Sequence, residues 1–232
     1  MPRKLIIILA AVLAHAGAFH MMLTAQKTAY PSMAPLEQYL MPDRNAEIAL
    51  ARSAAPSAIS DNAEVMVLSR QGYDTAVKGT NGFVCVVQRS WIAGIDDPVF
   101  WNPKLRGPMC LNPAGVRSYL PIILLRTKLI LAGKSKEEMM RSIASALEKK
   151  DLPPMESGAI GYMQSKEGYL SDSDGHWHPH LMFFVPLTDT KSWGAGLPGS
   201  PIFGAESPLE RLTVFFVPVT KWSDGTPDSG NH

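Results

Sequence analysis

Three of the chain's six histidines stand at alternate positions, His176, His178 and His180, within residues 172–186, DSDGHWHPHLMFFVP. Imidazole nitrogens are the commonest protein ligands for metals, and they suit zinc and copper. In an extended chain side chains alternate, so the three rings share one face with Met182 and Phe184. Trp177, Leu181, Phe183 and Val185 take the other. Pro179 holds His178 extended. Neighbouring rings then spring from backbone positions about 6.6 Å apart, at a rise of roughly 3.3 Å per residue. Two imidazoles can close that gap on one ion with bonds of about 2.0–2.1 Å. The outer pair, about 13 Å apart on the same rise, needs a bend. One straight strand therefore supplies two ligands, and Asp172, Asp174 and Glu156 are the nearest carboxylates to complete a zinc or copper site. The competing reading is a polar strand entrance, with the histidines bonded to carboxylates and backbone.

Other chemistry is sparse. Asp172-Ser173-Asp174-Gly175 has the opening of a calcium loop, but Leu181 and Phe183 stand where further acidic ligands belong, so a solvated turn is the better reading. There is no G-x-S-x-G elbow, phosphate loop or dinucleotide fingerprint. The two cysteines, Cys85 and Cys110, have no histidine near them in sequence. In an exported chain they read as a disulfide, stabilising by roughly 3–4 kcal/mol in the chain-entropy model. Two buried free thiols are the alternative.

The elements that position these residues begin after a non-globular start. Met-Pro-Arg-Lys, the apolar run 5–14 and the sites Ala14-His15-Ala16 and Ala16-Gly17-Ala18 describe a signal peptide over residues 1–18, cut after Ala16 or Ala18. An uncleaved anchor is the alternative, but the run is well short of the roughly 20 apolar residues that span a bilayer. Residues 19–60 read as a leader, a helix capped by Asp43 and a linker; 61–222 as one domain; and 223–232 as a disordered tail. Within the domain, Glu64–Ser69, 73–78 and 83–88 are β-prone. The Asn81-Gly82 pair predicts a hairpin, making a three-stranded antiparallel meander. Residues 92–113 have loop composition. The apolar stretch 114–132 predicts a helix broken near Pro121, or a helix leading to a strand. Ser135 and Glu138 form a capping box for a helix running to about residue 150. Residues 181–186 (LMFFVP) and 212–218 (LTVFFVP) predict two buried strands of one sheet, with a Gly/Pro-rich crossing at 194–208 between them.

Lys and Arg number 22 against 21 Asp and Glu. Removing residues 1–18 takes away Arg3 and Lys4 and leaves near neutrality, so no basic field exists to hold nucleic acid. No membrane span is predicted after signal removal.

The words GTNGFVC (79–85), PMCLNP (108–113), GHWHPHLMFFVP (175–186) and LTVFFVPV (212–219) resemble a family of exported bacterial proteins of uncharacterised function. The resemblance covers most of residues 43–225 and implies no activity or residue roles. The expected fold is α+β, a mainly antiparallel sheet with two or three helices and one disulfide. Two functions are carried forward. The first is a periplasmic or secreted, non-catalytic envelope or binding domain. The alternative is a metal-binding protein or metal-dependent enzyme using the HWHPH cluster.

Overall fold

The computed structural model describes residues 30–172 and 177–229. The expected signal peptide, most of the leader, His176 and Asp174 lie outside the described residues, as do residues 230–232. The fold is α+β, with an eight-stranded, mostly antiparallel sheet in the order β2-β1-β3-β4-β5-β6-β8-β7.

The sheet starts with the hairpin of β1 (Glu64–Ser69) and β2 (Gly72–Val77). β3 (Val84–Gln88) then runs parallel to β1 on its other side, so the predicted meander is not formed. The reason lies in residues 79–83. The Asn81 amide donates to the Ile59 carbonyl and its side-chain oxygen accepts from Phe83 N. Thr80 N donates to Asn62 O, and Glu64 N donates to Phe83 O. A Cβ on Gly79 would lie 2.1 Å from Glu64 N, so only glycine permits this approach. The Asn-Gly pair therefore docks the chain back beside β1 instead of reversing it.

β4 (Gly107–Leu111) lies inside the stretch expected to be loop and pairs antiparallel with β3. Gly107 and Pro108 disguise it, because proline removes a ladder donor. Cys85 and Cys110 stand opposite each other in this register and are joined by the disulfide. The bridge thus ties two inner strands together, not a loop to the sheet edge.

One face of this half is covered by α1 (Arg44–Arg52), with Asp43 accepting from Asn45 N as the cap, and by the short α2 (Ser57–Ser60). Leu50, Ala51, Ala54 and Ala55 pack on Val65, Val67, Val87 and the disulfide. Residues 43–60 thus share a core with the sheet. The opposite face carries α3 (Pro113–Ser118), α4 (Leu120–Leu131) and α5 (Lys136–Glu148). α3 and α4 are the broken helix, with Pro121 in the first turn of α4, where its missing N–H costs nothing. The Ser135–Glu138 capping box opens α5 as predicted. Among the described residues, no helix is long and apolar enough to cross a membrane.

β5 (Ala159–Met163), β6 (His180–Pro186), β7 (Phe203–Ser207) and β8 (Leu212–Pro218) complete the sheet. The two FFVP strands are antiparallel neighbours, with Phe183 opposite Phe215. They lie sixth and seventh in the order, away from its centre. Phe215 is buried under Trp193, stacked at 4.5 Å, and Phe184 is buried, whereas Phe183 is half-buried. β7 forms an edge strand inside the crossing expected to be loop. The expected tail is folded as far as residue 229. Asp224 accepts from both Thr226 N and Thr226 Oγ1, Gly225 takes φ +82°, and Asp228 N donates to Thr220 O.

Candidate functional site

β6 begins at His180, so His178 precedes the strand and the predicted alternation does not reach it. The His178 ring turns to the folded tail, where Nδ1 meets Asp228 Oδ2 at 2.7 Å. His180 Nδ1 donates to the His178 carbonyl at 2.9 Å. That bond places the proton on Nδ1 and leaves Nε2 as the lone-pair nitrogen. The ring sits edge-on to Trp177 at 5.6 Å and to Phe216 at 5.8 Å, so Trp177 is beside His180 and not across the sheet from it. Burial lowers the His180 pKa from its ordinary value, against a smaller upward pull from the His178 carbonyl.

The carboxylates chosen from sequence are engaged elsewhere. Asp172 accepts from the Tyr30 and Tyr169 hydroxyls and from Lys104 Nζ, which hold its carboxyl down at about 2, the Tyr169 bond contributing most. Glu156 takes Arg117 in a forked pair of 2.7–3.2 Å. Among the described residues, no group of three or more His, Cys, Asp or Glu is placed to hold a metal.

His180 instead lines a cleft of ≈ 760 Å³ between the sheet, α4 and residues 92–99. Its floor is Met163 on β5, Met182 on β6 and Leu212, Val214 and Phe216 on β8. These residues share one face through the pairs Met163↔His180, Met182↔Phe216 and Phe184↔Val214. Tyr119, at the α3–α4 junction, stacks on Phe184 with centroids 3.8 Å apart. Since Phe184 is four residues along β6 from His180, the cleft runs about 13 Å along the strand between the two polar rings. Burial raises the Tyr119 pKa, with Glu210 adding to the effect, so its hydroxyl stays protonated.

One wall holds a buried ion pair. Arg126 Nε donates to Glu210 Oε1 at 2.6 Å, and Nη1 donates to the carbonyls of Trp91 and Ala93. Ser207 Oγ donates to Glu210 Oε2. Arg126 is one of three charges, with Arg117 and Lys128, in the apolar run 114–132, and nothing in the sequence singled it out. Glu210 follows the β7 edge strand. Gln88, at the end of β3, also lines the cleft. Nothing in the sequence marked Gln88 or Tyr119.

A second cavity of ≈ 660 Å³, lined by Tyr169, Asp172, Trp177 and Trp222, abuts the first, and Leu170 lines both. Comparison with known proteins finds no matching family model, curated protein or solved structure.

Proposed function

We propose that this chain is an exported, non-catalytic binding protein of the periplasm or outer envelope, which holds a small apolar molecule in the cleft beneath α4. The observation that carries this reading is the cleft itself. Its ≈ 760 Å³ lies within the range of sites for small molecules, and its lining is mostly apolar with a few polar groups. The ionisable side chains around it serve structure: Arg126 and Glu210 neutralise each other, and the His180 proton is spent on a backbone carbonyl. The signal-like N-terminus, the Cys85–Cys110 bridge and the resemblance to exported bacterial proteins support the compartment. The test is binding of an uncharged apolar fluorophore, Nile red, to the purified protein. Ala205→Trp, which adds bulk on the lining of the cleft from the edge strand, should abolish that binding with the circular dichroism unchanged. Equal binding by wild type and variant would move the ligand site elsewhere.

One observation favours metal binding as a second reading. Both His178 and His180 use Nδ1 on an oxygen, the orientation that outer-shell partners give to ligating imidazoles. Titration with zinc or copper, wild type beside His178→Ala, separates the two readings: only the metal site loses affinity in the variant.

A further inference from the structure

We propose that the cleft selects uncharged amphiphiles whose polar group donates a hydrogen bond to His180 Nε2 or Gln88 Oε1, and rejects carboxylates of the same chain length. The inference rests on the binding reading above and names the ligand class of that site. Gln88 is 4 % exposed and Tyr119 7 % exposed, both line the cleft, and neither the Gln88 side-chain oxygen nor the Tyr119 hydroxyl has a hydrogen-bond partner among the described residues. The same holds for His180 Nε2. These atoms face the open cleft, so solvent meets them until a ligand group takes its place.

Their placement orders a ligand. Gln88 and His180 lie towards one end: a Cβ on Gly107 would touch both Gln88 Cβ and Met163 Cε, and Met163 pairs with His180. That end offers acceptors. The floor between it and Tyr119 is Met182, Val214 and Phe216, which suits an alkyl body.

Charge decides against an anionic head. Among the described residues the one arginine or lysine lining the cleft is Arg126, already paired with Glu210, while Asp96, Asp97 and Glu206 add negative charge around it. A carboxylate would meet two acceptors it cannot satisfy and a field of its own sign. A hydroxyl or primary amide brings the donor the site lacks.

The test displaces Nile red from the full mature chain with dodecanol, dodecanoate and dodecylammonium, at a pH where dodecanoate is ionised. Dodecanol should compete roughly tenfold better than dodecanoate, a ratio worth one unmatched buried polar contact. His180→Phe with Gln88→Leu should erase most of that preference while Nile red still binds. Equal competition by dodecanol and dodecanoate in wild type overturns the inference and leaves the binding reading intact, and this comparison needs no variant to fold. Stronger competition by dodecylammonium than by dodecanol also overturns it, in favour of a cationic ligand held by the carboxylates. No binding of Nile red or of any of the three overturns both.

Discussion

The two halves of the sheet treat burial differently, although each contains a buried Arg–Glu pair. On the disulfide side, β3 and β4 are buried along their whole length, between α1 on one face and the main core on the other. There Arg89 and Glu47 are sealed in: Arg89 donates to the carbonyls of Tyr39 and Val87 as well as to Glu47, which also accepts from Leu68 N. On the other side burial alternates along β5 and much of β6, β7 is an exposed edge, and Arg126–Glu210 lines an open cleft. The first half is a frame in which the buried ion pair is closed off by backbone partners. The second retains space and unmatched polar atoms, which is where a ligand can be recognised.

The largest expected effect tests the sealing. Glu47→Ala strands the Arg89 guanidinium in the core and should cost about 3–5 kcal/mol. Each arginine keeps two carbonyls, but the open cleft admits water to Arg126, so Glu210→Ala should cost less, about 1–3 kcal/mol. Urea unfolding of both variants measures the difference, and equal losses would erase the contrast between the halves.

Removing the bridge comes next. Cys85→Ser with Cys110→Ser opens a loop of sequence separation 25 and should cost roughly 3–4 kcal/mol by chain entropy. Because the bridge lies in the frame, Nile red affinity should survive wherever the variant is folded. Loss of affinity in a folded variant would show the two halves to be coupled.

The FFVP strand gives a sharper comparison between adjacent residues. Phe184, fully buried under Tyr119, should cost about 3–5 kcal/mol on truncation to Ala. Phe183, half-buried on the other face, should cost about 1–2 kcal/mol. A thermal or chemical unfolding series that ranks them the other way would place the true core on the α1 face.

Much of the secondary structure was legible in sequence because its signals are local. The capping box of Ser135 and Glu138, the Asp43 cap, the helix break at Pro121 and the FFVP strands all depend on residues close together in the chain. What escaped depends on distant partners. The side-chain bonds of Asn81 turn a hairpin signal into a docked loop, and Pro108 hides a strand whose ladder only the fold reveals. The cleft was the least legible part. Gln88, Tyr119, Arg126, His180 and Glu210 come from four separate stretches, and Arg126 and Glu210 are 84 residues apart. The histidine cluster pointed to one of these five, His180, but for a chemistry that the described carboxylates do not serve.

The smallest expected effect is a pH dependence confined to the cleft half. Burial holds the folded pKa of His180 below its ordinary value of 6.5. As pH falls past 6.5 the unfolded chain takes up a proton while the folded ring, between Trp177 and Phe216, does not. The unfolded state then binds more protons, so stability declines from 6.5 down through the folded pKa; above 6.5 neither state is charged and the group contributes nothing. Asp172 does not blur this window, because its carboxyl, held at about 2, keeps its contribution until pH falls below 3.8. Because the folded ring stays neutral through this window, Nε2 remains an acceptor and the preference for dodecanol over dodecanoate should persist there. Thermal unfolding of wild type and His180→Phe at descending pH measures this: the wild type should lose Tm relative to the variant below 6.5. Parallel curves would assign any acid sensitivity to another group.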